Sequence, residues 1–159
     1  MTVVSDASPL IALSRAKLLH LLKELFGEIY VSPEVFEETV RKDKPGEKDI
    51  RNSSWIKKEP IKNRKLINKY LTGSLSVADA TVICLAQEKA ADLVLIDEPD
   101  LRKMAKREKL PFIGTVGILV LSKKEGLIES VKKSLIKLIK QGFRIKKSVY
   151  ESILKEIGE

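Results

Sequence analysis

The chain opens with Thr-Val-Val-Ser-Asp-Ala-Ser-Pro-Leu at residues 2–10. The β-branched start predicts a strand, and the apolar residues after Pro9 predict a helix. Ser8 is the predicted N-cap, and Pro9 suits the first helical position because its missing N–H would be unpaired there. Asp6 is therefore expected at the carboxyl end of a strand, where ligands bind in sheets of βα units. The structural alternative is that Asp6 only bonds the unpaired amides of the next turn.

Composition limits the chemistry that this chain can carry. Its 159 residues, 43% of them hydrophobic, fit one domain with a real core. The single cysteine and the single histidine exclude an internal disulfide framework, a cysteine-based zinc site and a histidine-pair metal site. The net charge of +8 favours a polyanionic partner, although a thermophile-like content of Lys and Glu would also explain part of it.

Membrane insertion and secretion are not expected from this sequence. No run approaches the roughly 18 apolar residues that a membrane span needs. The first residues lack the basic flank and apolar core of a signal peptide. We therefore expect a soluble, cytoplasmic protein without a membrane partner.

Strand patterns and helix patterns alternate along the rest of the chain. Four aliphatic residues at 93–96 are typical of a strand buried on both faces, as in a parallel sheet, and residues 29–31 and 112–113 predict further strands. Residues 42–58 predict an irregular loop with a possible strand near Trp55. Helical patterns cover residues 33–41, 63–71, 75–86, 99–109 and 115–120. This alternation predicts an α/β fold.

Two further acids occupy positions that call for an explanation. Asp97 follows the predicted strand at 93–96 and so repeats the placement of Asp6. On a helix at 3.6 residues per turn, Asp79 falls inside the apolar arc, where a carboxylate is costly unless it is paired. Ser76, three residues earlier, offers the alternative of a capping box that holds Asp79 at the helix start.

Two other parts of the sequence are ambiguous. Glu37 and Glu38 flank the buried face of the helix that begins at Ser32 and Pro33, and helical geometry does not say which one faces Asp6. Thr115 starts the last apolar helix of the core. Its simplest role is that of N-cap of this helix, and the alternative is that it bonds a ligand.

These acids predict a divalent metal site. Carboxylates brought within a few ångströms of one another repel, so such a cluster persists mainly when cations neutralise it. An all-oxygen ligand set favours Mg²⁺ or Mn²⁺ over zinc or copper. Such an ion orients a water, lowers its pKa and stabilises charge on a phosphodiester.

Four short motifs, taken in their order and spacing, resemble the PIN domain family, and most closely its branch of VapC-type toxins and their archaeal relatives. They are Asp6 in DASPL, Glu38 after Pro33 and Val35, Asp79 in LSVADA and the strand end LVLIDE at 93–98. The resemblance runs from Thr2 to about Ser122. It implies one PIN-like domain, residues 1–159, with a three-layer fold: a mostly parallel sheet of four to five strands flanked by helices.

The resemblance also assigns roles to residues. Asp6, Glu38 and Asp79 fall on the family's first three acidic positions. The fourth often reads Thr, any residue, Asp, and here Ile96, Asp97 and Glu98 stand there. It therefore implies Asp6, Asp79 and Asp97 as metal ligands, Glu98 as the reserve fourth ligand and Glu38 as a catalytic group that orients water. Ser8 and Thr115 resemble the family's small polar residues that hold water or ligand.

The function implied is metal-dependent hydrolysis of RNA, possibly by the toxin of a toxin–antitoxin pair, with an antitoxin partner and a homodimer. Residues 1–122 would be the catalytic core and residues 123–159 a basic helical extension. Between Ser130 and Lys147 that extension holds seven basic residues and no acidic one, which suits a solvated helix face or a phosphate-binding surface.

Two alternatives remain at this stage. One is a non-catalytic RNA-binding or interaction protein that keeps the PIN fold. The other is a different Mg²⁺-dependent phosphoryl-transfer enzyme. Against the second, the chain has no phosphate-binding glycine-rich loop and no DxD after its first strand.

Overall fold

The computed structural model describes residues 1–41 and 45–159. The first residues of the segment predicted to be irregular, 42–44, lie outside the described part. The elements in chain order are β1 Val3–Ser5, α1 Ala7–Arg15, α2 His20–Phe26, β2 Ile29–Val31, α3 Pro33–Thr39, α4 Glu47–Arg51, β3 Ile56–Lys58, α5 Lys65–Lys69, α6 Val77–Glu88, β4 Leu93–Leu95, α7 Pro99–Arg107, β5 Phe112–Ile113, α8 Thr115–Lys124, α9 Val131–Lys140 and α10 Lys147–Glu156. None of the helices in these ranges is long and apolar enough to cross a membrane.

The five strands form one parallel sheet in the order β3-β2-β1-β4-β5, which confirms the predicted α/β fold. The chain builds the sheet outward from β1 to β3 and then returns to the other side of β1 with β4. The order therefore reverses between β1 and β4. In open sheets of this kind, ligands bind outside the carboxyl ends of the strands at that reversal.

Strand β1 is completely buried, and so is β4 beyond its first residue. Val3, Val4, Val94 and Leu95 have no exposed surface, and neither has Ile96 just beyond β4. Uninterrupted aliphatic runs suit strands that are covered by helices on both faces. The buried core therefore holds β1 and β4 in place. It also fixes the positions of Asp6 and Asp97, which lie just beyond these strands.

The start of α1 differs from the prediction. The helix begins at Ala7 with Asp6 as its N-cap residue, so the prediction that Ser8 caps it is wrong. Pro9 is the third helical residue. A proline is accepted there because the first four N–H groups of a helix have no partner inside the helix. The earlier start brings the helix to the very end of β1.

The C-terminal helices pack onto the rest of the domain. α9 lies against α8 and α1 and buries Val131, Leu135 and Leu138. The Glu159 carboxylate accepts hydrogen bonds from the Ser130 hydroxyl (2.7 Å) and the Val131 amide (2.9 Å) at the start of α9. The bonds from Lys123 and then Ser130 lower the pKa of Glu159 to about 2. Residues 123–159 are therefore tied to the core and not a loose tail.

Candidate acidic site

Asp6 is the most buried member of a cluster of acidic residues. Its backbone N–H donates to Leu95 O at 3.0 Å, which joins the ends of β1 and β4, and only 3% of the residue is exposed. Burial is the largest cause that raises the pKa of Asp6 to about 7; the backbone N–H of Ala7 opposes the shift, and the charges of Asp79, Glu38 and Glu98 add to it. The Asp6 side chain makes no N-cap hydrogen bond, and the bond from the Ala7 amide does not offset the effect of burial, so capping does not explain a buried acid here.

Asp79 both forms a capping box with Ser76 and lies in the acidic cluster, the two alternatives that the sequence left open. Its carboxylate accepts a hydrogen bond from the Ser76 amide at 2.9 Å, and its own amide donates to the Ser76 hydroxyl at 3.1 Å. This is a complete capping box at the start of α6. The same carboxylate lies close enough to Asp6 to raise its pKa. Asp79 therefore both caps α6 and contributes a negative charge to the cluster around Asp6.

Glu38, and not Glu37, is the acid of α3 that acts on Asp6. Glu38 is half-buried and its charge raises the pKa of Asp6, whereas Glu37 is exposed. The Ser32 hydroxyl caps α3 by accepting from Val35 N at 3.0 Å, as predicted, and it also bonds the Thr81 hydroxyl of α6 at 2.7 Å. This buried bond joins the helices that carry Glu38 and Asp79.

The two consecutive acids after β4 point in different directions. Ser5 of β1 pairs with Leu95 of β4, so the chain beyond Leu95 runs beside Asp6. Successive side chains of extended backbone point to opposite sides. Glu98 is exposed and its charge acts on Asp6, whereas Asp97 is half-buried and reaches toward α8.

Thr115 holds the Asp97 carboxylate with two hydrogen bonds. Its amide donates to Asp97 Oδ1 at 2.7 Å and its buried hydroxyl donates to Asp97 Oδ2 at 2.6 Å. The N-cap residue of α8 is Gly114 and not Thr115, so the predicted cap is wrong. Asp97 satisfies the first amide of α8 from a neighbouring loop, which is why the helix needs no cap of its own.

Comparison with known proteins identifies the family. A sequence model described as PIN domain matches residues 2–159. The chain belongs to the PIN domain family. Among solved structures, this PIN domain is similar to Mycobacterium tuberculosis VapC20, described as a sarcin-ricin loop cleaving toxin, with 18% identity and a TM-score of 0.48 over 65% of this chain and 95% of that chain. A search of curated proteins gave no match.

The donor set of this PIN domain suits a hard divalent cation. The groups that gather around Asp6 are all carboxylates, and oxygen ligands favour Mg²⁺ or Mn²⁺. Within residues 1–41 and 45–159, no Lys or Arg forms an ion pair with Asp6, Asp79 or Glu98. In the same ranges, no three acidic, imidazole or thiol groups already converge as metal ligands. Metal binding would therefore require the acidic side chains to move closer together.

Ser8 lies in the first turn of α1, half-buried, in a cavity that it shares with Glu98. The structure thus places Ser8 beside the rim of the acidic cluster. Thr115, the other small polar residue of the predicted site, acts on Asp97 and is fully buried.

Gly114 is a residue of this PIN domain that sequence reasoning missed. A Cβ atom at this position would lie 2.6 Å from Asp97 Oδ1 and 3.2 Å from Ile96 O, and it would also collide with the Arg102 guanidinium. Only glycine permits this close approach. A glycine between a strand and a helix start was the available signal, because such positions often mark close backbone contact.

The Thr115–Asp97 bond gives a first testable prediction. Thr115→Val preserves shape but removes the hydroxyl donor, leaving a partly buried carboxylate oxygen of Asp97 short of a partner. We expect the free energy of unfolding in urea to fall by about 1–3 kcal/mol. Thr115→Ser keeps the hydroxyl and should lose less. Wild-type stability in Thr115→Val, or a larger loss in Thr115→Ser than in Thr115→Val, would show that the hydroxyl is not what stabilises this position.

Proposed function

We propose that the protein is a metal-dependent ribonuclease that hydrolyses RNA phosphodiester bonds with the help of Mg²⁺ or Mn²⁺. The observation that carries the proposal is Asp6, a carboxylate that is almost fully buried and has three other acids raising its pKa. A cluster of this kind is unfavourable in the metal-free protein and favourable around a cation. PIN domains are generally nucleases that use divalent metals, which supports the same function.

We assign a separate role in the reaction to each acid of the site and to Ser8. Asp6 and Asp79 would hold the ion, and Glu38 would orient the water that attacks the phosphodiester and accept its proton. Glu98 is the better fourth ligand, because both oxygens of Asp97 already accept hydrogen bonds from Thr115. Asp97 would then keep the start of α8 in place, and Ser8 would position water at the rim. When bound, the ion supplies Lewis-acid stabilisation of charge on the phosphate.

Basic side chains near the acids would bind the RNA backbone. α9 presents four exposed lysines, and the residues at its end lie in the same cavity as Ser8 and Glu98. Neutralising backbone phosphates with Lys and Arg is the main source of affinity for nucleic acids and makes it salt-dependent. The lysines are Lys132, Lys133, Lys137 and Lys140.

The finer part of the proposal is that the protein is the toxin of a toxin–antitoxin pair, bound by an antitoxin and active as a homodimer. It rests on the motif resemblance to VapC-type toxins. Light scattering of the purified protein tests the dimer, and growth arrest on expression tests toxicity.

The test of the main proposal is incubation of purified protein with mixed RNAs, with Mn²⁺ and with chelator, beside the Asp6→Asn variant. We expect cleavage only by the wild-type protein with metal. RNA binding without any metal-dependent cleavage would favour the alternative of a non-catalytic RNA-binding protein. Turnover of a generic phosphomonoester in place of RNA would instead indicate a small-molecule phosphoryl-transfer enzyme.

A further inference from the structure

A cavity of about 410 Å³ lies next to the acidic cluster. Its lining includes Ser8 and Glu98 at the rim of the cluster, Arg15 of α1, and Gln141 and Arg144 beyond α9. One acidic side chain and two arginines therefore line the same cavity. The cavity also brings residues of the C-terminal extension to the site.

Arg15, which lines this cavity, carries an unsatisfied donor. Its Nε atom is buried and has no hydrogen-bond partner among the described residues. Leaving such a donor unpaired costs on the order of 1–3 kcal/mol. A rotation of the Arg15 side chain that turned this donor toward an anion in the cavity would recover that cost.

Arg144 supplies a second cation to the cavity. It is exposed in the segment between α9 and α10. In the described part of the chain neither Arg15 nor Arg144 forms an ion pair, and Glu98, which lines the same cavity, pairs with neither. Both guanidinium groups are therefore available to an external anion.

We propose that Arg15 and Arg144 form a subsite for a backbone phosphate of the RNA, next to the bond that is cut at the acidic cluster. This inference rests on the proposed function. Planar guanidinium groups match phosphate oxygens in pairs, and the unpaired Arg15 Nε–H would supply one of the donors once the side chain turns toward the phosphate. The subsite would also offset the repulsion between the acidic cluster and the RNA backbone. Residues 141–144 would then belong to the substrate-binding surface and not only to a packing extension.

The experiment measures RNA binding without cleavage. A fluorescent single-stranded RNA oligonucleotide is titrated with protein in EDTA and followed by anisotropy at several salt concentrations. We expect Arg15→Gln and Arg144→Gln each to weaken binding about tenfold. The double variant should reduce the slope of log affinity against log salt by about 0.7, the value for one phosphate on a single strand. Arg107→Gln, an exposed arginine in the last turn of α7, is the matched control and should bind like wild type.

The outcomes separate this subsite from the proposed catalysis. Loss of RNA binding in both variants, in a protein that never cleaves RNA, would support the subsite and reject the nuclease. Wild-type affinity in Arg144→Gln and Arg15→Gln would overturn the subsite even if the protein cleaves RNA. Inorganic phosphate that binds through these arginines while RNA affinity is unchanged by their replacement would also overturn it. Because Arg144 is exposed, its variant should fold normally, and Arg15→Lys provides a milder change at the partly buried position.

Discussion

Replacing Asp6 with Asn is expected to reduce metal-dependent RNA cleavage by about a hundredfold to a thousandfold, the usual range for removing a group that stabilises charge in a transition state or supports a metal. Asn fills nearly the same volume but carries no charge. It therefore removes the charge of the most buried acid of the cluster without creating a cavity beneath it. Cleavage of a labelled RNA in Mn²⁺ under single-turnover conditions measures the effect.

The matched control is Glu37→Gln. Glu37 is exposed on α3 and adjoins Glu38, so its variant loses one negative charge from the same helix without touching the cluster. We expect near-wild-type cleavage. If Glu37→Gln and Asp6→Asn lost activity equally, the effect would be one of overall charge, and the assignment of Asp6 would be wrong.

The stability of the metal-free protein is expected to fall as the pH rises through 7. The pKa of Asp6 is about 7 in the folded protein and about 3.8 when unperturbed, with burial as the main cause. Between these values the folded state holds a proton that the unfolded state has released, so the stabilisation is complete below the lower pKa and is lost as the pH passes the higher one. The difference corresponds to about 4 kcal/mol at most.

Urea unfolding in EDTA between pH 5 and pH 8 measures this loss. The window lies above the ordinary pKa of Glu159, whose lowered pKa affects stability only in more acidic solution. Asp6→Asn, which does not titrate, should show a flatter profile and be more stable than wild type at pH 8. Parallel profiles for the two proteins would mean that Asp6 is already ionised and compensated in the metal-free fold.

The sequence contained enough information for the sheet and for the strand that carries Asp6. Aliphatic runs at residues 3–4 and 93–96 indicated buried strands, and the acids after them marked the strand ends. Ser32 with Pro33 marked the start of α3 equally well. These signals are local, because a cap or a buried run is defined by residues that adjoin in the chain.

Side-chain direction at the strand ends was not predictable in the same way. Whether Asp97 or Glu98 faces Asp6 depends on one step of alternation in an extended segment, and Thr115, which captures Asp97, is distant in sequence. Glu38 is distinguished from Glu37 by the angle at which α3 packs, which the Ser32–Thr81 bond helps to fix. The starts of α1 and α8 were also misjudged, since neither depends on a side-chain cap of its own.

Direct Mn²⁺ binding tests the central claim, that acids distant along the chain form one cation site. Titration of the protein with Mn²⁺, followed by the electron paramagnetic resonance signal of the free ion, gives affinity and stoichiometry without any substrate. Wild type and Glu37→Gln should bind with the same affinity, and Asp6→Asn should bind at least about tenfold more weakly. Equal Mn²⁺ affinity in wild type and Asp6→Asn would contradict the account.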